Sequence, residues 1–164
     1  MKEEEVDIFL VQEVTRELLD CIDLNTYNII KAEKGDSVII LRKDKFKKYH
    51  NIEDLKKFWP EDLKKNIHWN ENTAMCFVDN LIIFSFHLSS KKEKNGPQVA
   101  CLLEHLKMLK KMYPMCEFIV GGDANSFIDP KSVDEREWNI FPNLAKDITT
   151  MKKRTWLQPQ TNKA

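Results

Sequence analysis

Three segments of this chain place a polar, chemistry-capable side chain at the end of an apolar run: Glu13, His87 and the pair Asp123/Asn125. In Leu10-Val11-Gln12-Glu13-Val14 a carboxylate closes a buried strand, where it needs a cation or hydrogen-bond donors on its apolar side. Read alone, Glu13 is an ordinary strand-end acid. In Ile83-Phe84-Ser85-Phe86-His87-Leu88-Ser89, Ser85 and His87 share one strand face, opposite Phe84, Phe86 and Leu88. A histidine there can donate to phosphate oxygens, or it is a satisfied core group. The third segment runs Val120-Gly121-Gly122-Asp123-Ala124-Asn125, with two of the four glycines side by side just before an acid. Glycine permits close backbone approach, and residues two apart on an extended stretch point to one face. An acid and an amide aimed at one point suit a site that orients water beside a phosphate. An Asx-rich turn after a strand is the plain alternative.

The elements that must position these groups follow from periodicity. Val6 to Val14 is a β-type run, and Thr15 to Asp23 reads as a helix with Leu18, Leu19 and Ile22 on one apolar face. Tyr27–Ala32 and Ser37–Leu41 flank Gly35-Asp36 as a hairpin, and Thr73–Val78 and Leu81–Leu88 flank Asp79-Asn80 as another. The charged stretch 42–72 holds a helix-like IEDLKKFW stopped near Pro60. After a polar loop from Ser89 to Pro97, the residues Val99, Leu102, Leu103, Leu106, Leu109 and Met112 give the buried stripe of a long helix ended by Pro114. Glu117 to Val120 is a short buried strand leading into the glycines, and no strong period follows Asp129. Hairpins covered by helices make one α+β domain over 1–164, with sheets inside and helices outside.

Composition narrows the function classes. The 164 residues carry 42% apolar and 32% charged side chains, enough for a core and a well-solvated surface. Basic and acidic groups balance at 26 each, yet residues 1–23 hold two basic against eight acidic groups. Residues 42–66 hold nine basic against five acidic, and 146–164 hold five against one. Lysine interspersed with acids reads as solvated surface. No apolar run approaches the ~20 residues of a membrane-spanning helix, and no signal segment is visible, so an intracellular protein is expected. Cys21, Cys76, Cys101 and Cys116 show no metal or disulfide spacing and read as reduced core residues.

In order and context, VDIFLVQEV, DSVIILRKDKF, NLIIFSFHLSS, GPQVACLLEHLKML and EFIVGGDANSF resemble the endonuclease/exonuclease/phosphatase superfamily, the DNase I-like group. The matching anchors run from Val6 to Phe127, and the first and last carry the Gln-Glu and Gly-Asp-x-Asn signatures. The resemblance implies a DNase I-like α/β sandwich of mainly antiparallel sheets flanked by helices. It implies that Glu13 binds Mg²⁺ or Mn²⁺, that Asp123 activates the attacking water, that Asn125 holds that water or the phosphate oxygens, and that His87 stands near the phosphate. The reaction implied is hydrolysis of a phosphoester, with nucleic acid as the favoured partner and the deadenylase-like branch closest in look. The family's first strand, with its active-site Asn, and its closing Ser-Asp-His strand have no counterpart here. The expectation is therefore the central part of such a domain, incomplete at both ends. The Lys152, Lys153, Arg154 cluster is either a phosphate-approaching segment or a solvated tail. The alternative function is a catalytically inactive member acting as a binding or interaction module.

Overall fold

Apolar side chains at every second position build two sheets whose faces can be told apart residue by residue. The computed structural model describes residues 6–57, 59–61 and 72–125. Strands β1 (Ile8–Val11), β2 (Tyr27–Lys31) and β3 (Val38–Arg42) form an antiparallel sheet in the order β1-β3-β2. Strands β4 (His50–Asn51), β5 (Thr73–Val78), β6 (Leu81–His87) and β7 (Glu117–Asp123) form a second sheet in that order. Its pairs are antiparallel except β6 with β7, which run parallel. A parallel neighbour needs a crossover, and helix α3 (Lys92–Met112) supplies it. The shorter helices α1 (Arg16–Asp20) and α2 (Ile52–Lys56) follow β1 and β4. Both hairpins predicted from sequence are present, and among the described residues the architecture is α+β with mainly antiparallel sheets.

The two sheets pack face to face. Ile30, Ala32, Ile39 and Leu41 of the first meet Ala74, Cys76, Val78 and Ile83 of the second, with Ile8, Leu10 and Ile119 at the margin. The alternate residues of the second sheet (Met75, Phe77, Ile82, Phe84, Phe86 and Phe118) turn the other way and pack against Leu102, Leu106 and Leu109 of α3. The layers are thus sheet, sheet, helix. The ends of β1, β6 and β7 come together at one edge of the sheet-to-sheet seam, which is where the candidate chemistry lies.

Several local expectations are corrected. The helix over 15–23 is only Arg16–Asp20, with no buried residue and Leu18 largely exposed. Thr15 caps it through Leu18 N–H, and Asp23 then takes Asn25 N–H and Thr26 Oγ1 in a turn that stops it. Those two bonds, the Thr26 hydroxyl foremost, hold the Asp23 carboxyl below its ordinary value. Helix α3 begins at Lys92, not after Pro97, because Asn95 and Gln98 tie its first turns to the strand ends beside it. Strand β7 extends through Gly121 and Gly122 to Asp123 and is only partly buried. Cys21 is exposed rather than in the core. Cys76 is buried, and burial pushes its thiol up to about 12. Among the described residues no helix is long and apolar enough to cross a membrane. His68, Phe127, the aperiodic stretch after Asp129 and the Lys152–Arg154 cluster lie outside the described residues.

Candidate functional site

Parallel pairing sets the first two side chains in register. His87 and Asp123 are direct partners as the last residues of β6 and β7. Each follows inner-face positions on its own strand, Ile83 and Ser85 for His87, Ile119 and Gly121 for Asp123. Their side chains therefore leave the same face of adjacent strands, which lie ~4.8 Å apart.

Glu13 arrives from the facing sheet. Gly121 makes that approach possible, since a Cβ there would lie 2.7 Å from Leu10 Cδ1 on β1. The chain turns sharply after β1 with Glu13 at φ 55°, which swings its carboxylate outward. Its Oε1 stands 4.0 Å from His87 Nε2, and the side chain is 78% exposed. Behind it, Gln12 Nε2 donates to the fully buried hydroxyl of Ser85 at 2.8 Å, and that hydroxyl lies 3.3 Å from the Val11 carbonyl it can donate to. The Gln-Glu pair thus divides its work: Gln12 bonds the two sheets together and Glu13 faces out. Ser85→Ala should lower stability by about 1 kcal/mol, the usual net worth of such a bond. A lower urea midpoint at unchanged slope is the signature; an unmoved midpoint would show that the bond contributes nothing.

The pair Asp123/Asn125 does not have the geometry expected of it. Asn125 lies at φ 47°, not in an extended stretch. Its backbone N–H donates to Asp123 Oδ1 at 2.8 Å, and its side-chain Nδ2 donates to the Leu88 carbonyl at 2.8 Å. This is the Asx turn, and it makes Asn125 a clamp across the ends of β6 and β7. Leu88 N–H to the Asp123 carbonyl and Asn95 Nδ2 to the Ala124 carbonyl tighten the same corner. Asp123 stays exposed at the corner with one carboxylate oxygen engaged.

One residue of the cluster escaped sequence reasoning. Asp36, in the loop between β2 and β3, sets both carboxylate oxygens against His87 Nδ1 at 2.9 and 3.1 Å. The sequence marked Gly35-Asp36 only as a turn, and a contact across 51 residues leaves no local signal. The other described histidines lie elsewhere: His50 pairs with Phe77 on β4, and His105 is buried in α3 with Nδ1 donating to the Cys101 carbonyl at 2.9 Å.

Among the described residues no group of three or more His, Cys, Asp or Glu could hold a metal ion. What Glu13 offers is a single exposed carboxylate beside His87. That fits Mg²⁺ in one way only, because Mg²⁺ keeps several waters and is commonly held by one or two carboxylates together with substrate phosphates. No protein-family model matches the sequence, and no curated protein matches it.

Proposed function

We propose that this chain is a metal-dependent phosphoester hydrolase of the DNase I-like type, acting on nucleic acid. The observation that carries the reading is that Glu13, from the turn after β1, stands 4.0 Å from His87, whose direct partner on the neighbouring strand is Asp123. Glu13 would hold Mg²⁺, which when bound supplies Lewis-acid stabilisation of charge on the phosphoryl oxygens. The remaining oxygen of Asp123 orients the attacking water and takes its proton, and His87 stands beside the phosphate. Asn125 contributes by holding the Asp123 corner, since its amide nitrogen is bonded to Leu88.

A second reading, a phosphate-ligand module without turnover, is favoured by one observation: among the described residues no group of three or more His, Cys, Asp or Glu could hold a metal ion. Hydrolysis of bis-p-nitrophenyl phosphate and of short oligonucleotides, with Mg²⁺ and then with chelator, separates the two. The hydrolase reading expects weak turnover that needs the metal and falls ~10²–10⁴-fold in Asp123→Ala, the range for a positioned base. Binding of the phosphodiester with no turnover in either protein leaves the module reading. Turnover indifferent to Asp123 and to chelator removes the hydrolase reading.

A further inference from the structure

We infer that the loop between β3 and β4 is a second nucleic-acid contact, where Lys45, Lys47 and Lys48 hold backbone phosphates away from the hydrolytic corner; the partner named rests on the reading above, the patch does not. Residues 42–50 carry five basic groups against one acid, Asp44. Lysines mixed with acids are ordinary solvated surface, but this acid is already engaged. Arg42 grips it through Nε at 3.0 Å and Nη2 at 2.7 Å. Those bonds first, and the nearby charges of Arg42 and Lys45 after them, keep the Asp44 carboxyl below its ordinary value. Lys43 is engaged too, its Nζ donating to the Leu24 carbonyl. Lys45, Lys47 and Lys48 stay exposed, and among the described residues their side chains form no ion pair or hydrogen bond.

The loop is anchored from below. Phe46 N–H closes a turn onto the Arg42 carbonyl at 2.9 Å, and Phe46 and Tyr49 pack against the core between the sheets. The loop leaves β3 at the end away from Asp36, so the strand's own length, about 14 Å over Val38–Arg42, separates it from the site. An ammonium on a flexible stem meets phosphate as a point charge and reads no base. With both aromatic rings engaged in the core, the loop has none to stack on a base, so the contact follows backbone charge and not sequence. A bilayer surface fits less well. Chains that lie on one pair their lysines with exposed apolar side chains, and this loop has none. Leu24, exposed beside Lys43, follows Asp23, whose ionised carboxylate repels anionic headgroups.

Fluorescence anisotropy of a labelled oligonucleotide with the full chain, in chelator so that nothing is hydrolysed, reads the contact. Lys47→Ala/Lys48→Ala is compared with Lys107→Ala/Lys111→Ala, an equal loss of charge from exposed positions of α3. Each phosphate contact adds about 0.7 (single strand) to 0.9 (duplex) to the slope of log affinity against log salt. The loop variant should therefore flatten that slope by about 1.4–1.8, and its shortfall against wild type should grow ~25–60-fold per tenfold dilution of salt. The α3 variant should follow the wild type, and oligonucleotides of unrelated sequence should show the same loss. No binding by the wild type, or equal slopes for the two variants, overturns the inference. So does a loop that matters for phosphatidylserine vesicles or a polyglutamate peptide but not for the oligonucleotide. Hydrolysis is scored separately. Bis-p-nitrophenyl phosphate, too small to reach the loop, should be turned over by the loop variant as by wild type. A duplex of about 20 base pairs, ~68 Å long, should show a raised KM at unchanged kcat. Loop-dependent binding without metal-dependent turnover keeps this inference and removes the hydrolase reading; turnover with binding that ignores the loop does the reverse.

Discussion

Gly122→Ala should destabilise the protein by about 3 kcal/mol or more, while the same change at its neighbour Gly121 should cost about 1 kcal/mol. A Cβ on Gly122 would stand 2.0 Å from the Phe86 carbonyl oxygen and 2.8 Å from the Phe86 carbonyl carbon and nitrogen. All three are backbone atoms of the partner strand, in register with Gly122 itself. Only parting β7 from β6 relieves the contact, and φ at +157° adds to the strain. At Gly121 the single close atom is Leu10 Cδ1, the end of a side chain that can rotate, with the next contact at 3.9 Å. Thermal unfolding of the two variants side by side gives the comparison. Equal melting temperatures would mean that β6 and β7 are not paired in the register described. Because Asp123 is the next residue, the same variant should also uncouple it from His87.

Glycine pairs before an acid were visible in the sequence, but the difference between them was not. Which glycine abuts a side chain and which abuts backbone depends on register between strands 30 or more positions apart, and no local pattern encodes it. The strands themselves were legible because each is a run of apolar or β-branched residues bounded by turn signals, as in Val38–Arg42 and Thr73–Val78. Strand β4 was not, since His50 and Asn51 are exposed and have no apolar period. The polar loop was expected to run from Ser89 to Pro97, whereas Pro97 lies inside α3. The two amide side chains that hold its first turns, Asn95 and Gln98, act through partners on other elements. At the site, strand ends could be read and their convergence expected, but Asn125 became a clamp through a positive φ that spacing does not reveal. Asp36 needed the fold before it had a partner.

These differences share a cause. Alternation along a strand is a local property, so Ser85 and His87 could be assigned to one face and Phe84 and Phe86 to the other. What occupies the opposing surface is non-local: Gln12 for Ser85, Asp36 for His87, and α3 for the phenylalanines. The same strand therefore serves two layers, with polar links to the first sheet on one face and the helix-packed core on the other.

That division leads to the other large effect. Phe84 is fully buried at the centre of β6, between Met75 and Val120 in the sheet and beneath α3. Phe84→Ala removes most of a ring's buried area and leaves a cavity that a sheet fixed by backbone bonds on both sides cannot close. The cost should be about 3–5 kcal/mol, a large share of the ~5–15 kcal/mol that keeps a domain folded. Phe84→Leu, which keeps most of the volume, should lose much less. Chemical denaturation should show a strongly lowered midpoint for the alanine variant at a nearly constant slope. A small midpoint shift would place Phe84 outside a close-packed core.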